Sequence, residues 1–161
     1  MAKKLSLQEL DLFDIRLLQA LQENGRLSNI ELAERVRLSA SQCQRRVKKL
    51  EELGIIRQYV ALLDRDKIGL GVMAFVNVRL ARHGDDPARV FQETIAREPH
   101  ILECWAVTGE ADYVLRVVAT DLKAFSNFLL HTLLSVPVIA EVRSTVMLEQ
   151  LKGSNVLPLE M

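Results

Sequence analysis

Ser39-Ala-Ser-Gln-Cys-Gln-Arg-Arg-Val-Lys-Lys-Leu-Glu-Glu-Leu53, closed by Gly54, reads as one amphipathic helix. Ser39 with Gln42 three residues on is a capping-box start, in which each side chain satisfies a free backbone N–H of the other. Ala40, Cys43, Val47, Leu50 and Leu53 recur at helical spacing and make an apolar stripe. Gly54 can take the left-handed conformation that closes a helix. Opposite the stripe lie Ser41, Arg45, Lys48 and Glu52, flanked by Gln42, Gln44 and Lys49. Between Ser39 and Leu50 there are four cations, Arg45, Arg46, Lys48 and Lys49, and no acid. Such a face can lie along a phosphate backbone and offer amides and guanidinium to base edges. It equally describes a solvated surface helix. The residues before it decide between the two.

A first helix is expected from Asp11, with Asp14 in its opening turn and Phe13, Leu17, Leu18 and Leu21 on one face; Asn24-Gly25 stops it. A second starts at Ser28, where Ser28-Asn-Ile-Glu31 is another capping box, and ends near Arg37. Ile30, Ala33 and Val36 are its inward positions, and Leu38 precedes the Ser39 cap as a hydrophobic staple. Two helices joined by a tight turn make a helix-turn-helix. In that setting the Ser39–Leu53 helix is the one that meets DNA. Its capped end carries Ser39, Ser41, Gln42, Gln44 and Arg45 toward base edges. Arg46, Lys48 and Lys49 are placed to hold phosphates. Ser28 and Asn29 can donate to a phosphate from the start of the second helix.

After Gly54, Ile55–Leu63 is β-branched and aromatic and reads as a strand, so the unit is a winged helix-turn-helix. Asp64–Gly71 is rich in turn residues and marks the boundary, giving domains 1–63 and 64–161. The second half reads strand, helix, strand, strand, helix, strand. Val72–Leu80 alternates. Within His83–Pro87, Asp86 and Pro87 start a helix carrying Val90, Phe91, Thr94 and Ile95. Ile101–Val107 and Tyr113–Ala119 are strands. Asp121 caps a helix with Leu122, Phe125, Phe128, Leu129 and Leu133, and Glu141–Leu148 is the last strand. The fold class is therefore α+β, a winged helix-turn-helix joined to a ferredoxin-like βαββαβ domain. Helices cover one sheet face only, so the other needs a cover, and a second copy of the chain supplies one.

The composition agrees. Net charge is zero over 161 residues, so the whole chain is no general polyanion binder. The zero hides an asymmetry: residues 1–63 hold 11 Lys/Arg against 8 Asp/Glu, a net of +3, and the remainder carries −3. A basic half joined to an acidic one suits a nucleic-acid-facing part with a separate second task. Cys43 and Cys104 have neither disulfide nor metal spacing and read as small buried hydrophobes. His83, His100 and His131 are scattered, and no nucleophile elbow or phosphate loop is found, so neither enzyme activity nor a metal or cofactor is expected. Residues 1–9 read as a frayed leader without a signal-peptide core, and no apolar run approaches the ~18 residues of a membrane span. A cytoplasmic location follows.

Thr108-Gly-Glu-Ala-Asp112 connects two strands. Gly109 there can simply permit a tight turn. Alternatively, backbone N–H groups and the Thr108 hydroxyl hold a carboxylate while Asp112 meets an ammonium group, the two charges of a free amino acid. Arg143, on the last strand, is a further candidate for that pocket, with a surface ion pair as its plainer role.

Taken in order, Leu10-Asp-Leu-Phe-Asp14 with Leu17-Leu18, Gln22–Ala33, Leu38–Glu51 with Gly54-Ile-Ile-Arg57, and Thr108-Gly-Glu-Ala-Asp-Tyr113 resemble the Lrp/AsnC (leucine-responsive, "feast/famine") transcriptional regulators over roughly residues 8–155. The resemblance implies binding to double-stranded promoter DNA. It implies an amino-acid effector bound between dimers at Thr108, Gly109, Glu110, Asp112, Tyr113 and Arg143, with leucine, methionine and other apolar amino acids as first candidates. It also implies assembly of dimers into octamers. The family often has proline where this chain has Ala40 and Gln42, so no operator sequence is carried over. Two other readings stand beside it. Sirohaem decarboxylases resemble the same superfamily but have a degenerate DNA-binding half, unlike the basic helix here. A ligand-independent DNA-organising protein would give no heat with any amino acid.

Overall fold

The computed structural model describes residues 10–81 and 86–159. The chain forms two compact units, Met1–Leu62 with Lys152–Met161, and Leu63–Leu151. The leader 1–9 and His83 fall outside the described residues.

The first unit is built on α1 (Leu12–Glu23), α2 (Asn29–Val36) and α3 (Ala40–Glu52). All three start where the sequence places a cap. Asp11, Ser28 and Ser39 each accept the N–H of the residue three positions on, and in each case that residue's side chain reaches back to the cap N–H. Three capping boxes on three short helices matter, because none is long enough to stand alone. Arg37, in the left-handed region at φ 58°, ends α2 and starts the tight turn. Gly54 at φ 70° closes α3. Leu17, Ala20, Leu32, Val36 and Cys43 form the core, with Leu21, Leu27, Ala33, Leu38 and Val47 packed around it. Full burial stabilises each large side chain of such a core by about 1.5–3 kcal/mol.

Two expected inward positions differ. Ile30 is 67% exposed, and Leu32 takes its place in the core. Leu53 ends the α3 stripe exposed rather than packed, because the core beneath α3 already closes at Leu50.

The expected strand Ile55–Leu63 is not formed within the chain; no strand or helix runs through 55–71. A strand exists through its neighbour's hydrogen bonds, and none of the described strands pairs with this segment. Tyr59, Val60, Leu62 and Leu63 are left exposed. The Tyr59 hydroxyl donates to Glu51 Oε1 at 3.0 Å. Partial desolvation of the half-exposed Tyr59 and that carboxylate push its hydroxyl up to about 12.

The last residues also group differently from the expected 64–161 domain. Gln22 Nε2 donates to the Leu157 carbonyl at 3.1 Å, and Leu157 N–H donates to Gln22 Oε1 at 2.6 Å. One primary amide thus satisfies both backbone groups of Leu157, as a neighbouring strand would, and ties the tail to α1.

The second unit has a four-stranded antiparallel sheet, order β2-β3-β1-β4: β1 (Val72–Leu80), β2 (Ile101–Ala106), β3 (Tyr113–Ala119) and β4 (Ile139–Val146). α4 (Pro87–Ile95) and α5 (Leu122–Phe128, continued by a π-helical turn Leu129–Leu133) supply the two crossovers. β4 begins two residues earlier than the sequence suggests, and a register shift at Arg79/Leu80 fits it to β1. Alternation does the rest. Ala74, Val76 and Val78 of β1 and Leu115 and Val117 of β3 pack with Phe91, Phe125 and Leu133 under the helices. Phe75, Asn77 and Arg79 of β1 therefore point to the other face. Among the described residues no helix is long and apolar enough to cross a membrane.

Candidate functional site

The capped tip of α3 is a closed hydrogen-bond unit. Ser39 N–H and Ser39 Oγ–H both donate to Gln42 Oε1, at 3.0 and 3.1 Å, and Gln42 N–H donates to Ser39 Oγ at 3.2 Å. Ser41 Oγ lies 3.1 Å from Ser39 Oγ. Beyond this tip, Gln44, Arg45, Lys48 and Lys49 are exposed along one side of the helix. Lys48 has only a 3.8 Å contact with Glu52, which is worth little in water. Arg45 and Lys49 make no ion pair among the described residues.

Arg46 behaves differently from its neighbours. Its Nη1 lies 2.7 Å from both Asp11 Oδ2 and Asp14 Oδ1, and its guanidinium sits 5.6 Å from the centre of the Phe13 ring. Its hydrogen bond to Asp14 holds the guanidinium firmly protonated. Asp14 is the buried charged residue of this unit, and Arg46 is what makes its burial tolerable. Arg46 therefore ties α3 to α1, which aims the helix. Ser28 is also committed: its N–H and hydroxyl both donate to Glu31 Oε2, at 2.7 and 2.8 Å. That carboxylate occupies the start of α2, where a phosphate was expected, and Asn29 beside it is half-buried.

In the second unit the open sheet face carries a groove of about 680 Å³. Of the residues expected in an effector site, Thr108, Glu110 and Arg143 line it. So do Asn77, Arg79, Val107, Ala111, Val114 and Glu141. Strand register explains the grouping: Arg143 stands opposite Asn77 and Glu141 opposite Arg79. The charges interlock. Arg79 Nη2 lies 2.6 Å from Glu141 Oε2; Arg143 Nε is 2.6 Å from Glu141 Oε1 and its Nη1 is 3.2 Å from Glu110 Oε2. The Arg143 hydrogen bond, with Arg79 nearby, holds the Glu141 carboxyl below its usual range.

Gly109, Asp112 and Tyr113 do not line the groove. Gly109, at φ 111°, makes the turn. Asp112 Oδ2 accepts Leu80 N–H at 2.7 Å, and the Asp112 N–H and carbonyl bond to Val78 and Val107. Asp112 is thus the clasp holding the loop to the end of β1. Tyr113 faces the helices, its ring 4.6 Å from that of Phe91. Asn77, Arg79 and Glu141 were missed. The valine alternation of β1 carried the signal, because it sends the two β1 residues to the uncovered face.

Residues 73–157 match the Lrp/AsnC ligand binding domain and residues 10–57 a winged helix-turn-helix DNA-binding domain. The chain belongs to the Lrp/AsnC family. It is 41% identical over 146 residues to the leucine-responsive regulatory protein of Rhizobium meliloti, covering 91% of this chain and 94% of that protein. It is 39% identical over 151 residues to the Bkd operon transcriptional regulator of Pseudomonas aeruginosa, covering 94% and 99%. A transcriptional regulator from Neisseria meningitidis, solved in complex with L-methionine, superposes with a TM-score of 0.90 at 47% identity over 93% of this chain and 97% of that one. This Lrp/AsnC chain is a transcriptional regulator with a winged helix-turn-helix DNA-binding domain and a ligand-binding domain. α3 lies within the matched winged helix-turn-helix, and these relatives are transcriptional regulators.

Proposed function

We propose that this regulator acts in the cytoplasm on double-stranded promoter DNA. In this reading its affinity is set by an apolar amino acid, methionine first, bound in the sheet-face groove between dimers. The observation that carries the reading is the groove itself. It offers two arginines for a carboxylate, two glutamates for an ammonium group, and Val107, Ala111 and Val114 for an apolar side chain. A few placed polar groups against an apolar wall is what small-ligand sites require. The methionine complex of the meningococcal relative supports methionine as the first candidate. In this reading Thr108, Glu110, Arg79, Arg143 and Glu141 meet the ligand. Asp112, Gly109 and Tyr113 shape the loop. Ser41, Gln42, Gln44, Arg45, Lys48 and Lys49 meet DNA. The working division is residues 1–63 for DNA and 64–161 for effector and assembly, with the tail returning to α1.

Self-association belongs to the same proposal. Phe75 is 37% and Trp105 44% exposed. The extended segment 57–63 has no strand partner among the described residues and leaves Tyr59, Val60, Leu62 and Leu63 in water. A second copy covering the sheet face and pairing the extended segment answers both, and dimers so formed can build an octamer. An effector bound between dimers then favours one assembly and changes the spacing of the reading helices.

A thermal-shift screen of the purified protein against the twenty L-amino acids tests the effector reading. Binding to the folded state raises the melting temperature by mass action. Methionine or another apolar amino acid should stand out. A screen in which none does removes the amino-acid reading of the groove.

A further inference from the structure

Gln42 is both a cap and a residue at the DNA-facing tip, and the geometry shows how the two roles divide within one side chain. An amide oxygen has two lone pairs. Both are taken at Gln42: Oε1 accepts the N–H of Ser39 at 3.0 Å and the hydroxyl of Ser39 at 3.1 Å. The orientation is forced by chemistry, since only the oxygen can accept a backbone N–H. The Nε2 group, with two hydrogens, bonds to nothing among the described residues, and Gln42 is exposed.

We propose that Gln42 specifies a base pair as a pure donor, so that the operator carries guanine, not adenine, at the position it meets; this rests on α3 being the helix that enters the major groove. Free glutamine reads adenine bidentately, its oxygen accepting from N6 and its nitrogen donating to N7. That pairing needs the oxygen which the cap has saturated. Guanine presents O6 and N7, two acceptors side by side, to the major groove. The two free hydrogens of Nε2 match them. Adenine sets its own N6 amine, a donor, against one of those hydrogens. Thymine offers only O4. Gln42 therefore acts like a short, uncharged counterpart of the arginine–guanine contact, held in place by its own helix cap. A proline or alanine at this position would supply neither function.

The test is selection of binding sites from randomised duplex DNA by the full-length wild type, Gln42→Glu and Gln42→Ala. Gln42→Glu is the informative variant. Glutamate keeps the capping box, which favours Glu or Gln at this place, so melting should match the wild type. It replaces two donors by acceptors. The wild type should enrich guanine at one position of each half-site. Gln42→Glu should lose guanine there, with cytosine, whose N4 is a donor, the favoured replacement. Gln42→Ala should show no preference at that position, and its affinity for the wild-type site should fall about tenfold. Adenine enriched by the wild type at the position that changes in the variants overturns the inference. So does the same base enriched by all three proteins. If the wild type enriches no sequence at all, the DNA-reading role of α3 fails first, and the inference falls with it.

Discussion

Replacing Arg46 with methionine removes the cation between α1 and α3 while keeping much of its stem. The Asp14 side chain it leaves behind is only 6% accessible, whereas Arg46 is 22% and Asp11 50% accessible. Removing one partner of a fully buried pair costs about 3–5 kcal/mol, because an uncompensated charge is stranded. The partly open Asp11 side lets water relieve some of that, which points to the lower end. Loss of the contact over the Phe13 ring adds about 0.5–1 kcal/mol. The expected cost is about 3.5–4 kcal/mol. At about 1–3 kcal/mol per molar urea, the midpoint for the helical unit falls by about 1–4 M, read by far-UV circular dichroism. Adding Asp14→Asn to the same chain should return most of the loss, since the stranded charge is gone. On DNA, under conditions where the variant is folded, the dependence of affinity on salt should keep its slope. Lys48→Ala, by contrast, should leave the unfolding free energy within about 0.5 kcal/mol and reduce the slope by about 0.9. If Arg46→Met unfolds no more easily than the wild type and loses salt dependence as Lys48→Ala does, Arg46 is a phosphate contact and the tie to α1 is incidental.

Arg143→Ala should abolish the amino-acid-induced rise in melting temperature; a rise equal to the wild type's would take Arg143 out of the groove's chemistry. Trp105→Arg places a charge on the uncovered sheet face and should lower the mass measured by light scattering, and an unchanged mass would show that the face is not an interface. Acid should loosen the DNA-binding unit. Ser28 N–H holds the Glu31 carboxyl low, and at Asp11 the upward push of burial is outweighed by Asp14 N–H and Arg46. Depressed folded values mean that this stability is present above the ordinary carboxylate range and is lost as pH falls through them. The urea midpoint should be flat from about pH 7 to 5 and drop below about pH 4, less so in Glu31→Gln; a midpoint that rises on acidification contradicts the sign.

What was legible in the residues was whatever is decided locally. The starts of α1, α2, α3, α4 and α5 follow from capping side chains within three residues of the bonds they satisfy, so Asp11, Ser28, Ser39, Asp86 and Asp121 announce them. The strands of the second unit follow from alternation against a single covered face. The segment 55–63 has the right composition for a strand, but composition cannot supply a partner. Arg46 was grouped with Lys48 and Lys49 because all four cations share one helix; only the packing of α1 shows that one of them turns inward. The same holds at the groove. Thr108, Glu110 and Arg143 were in view from the sequence, whereas Asn77, Arg79 and Glu141 join them only through strand register. Asp112 and Tyr113, adjacent in sequence, were separated by the pleat and by the clasp to Leu80.

In the proposed function an amino acid held in the groove changes how α3 engages DNA. Fluorescence-anisotropy titration of a selected DNA site by the full chain, alone and with each of the twenty L-amino acids in turn, measures that coupling directly. Coupling free energies of about 1–3 kcal/mol are typical, or about 5- to 150-fold in affinity. Methionine or another apolar amino acid should shift the DNA Kd by about fivefold or more, and Arg143→Ala should bind the same site but no longer respond. DNA affinity unmoved by every amino acid would contradict the proposed function.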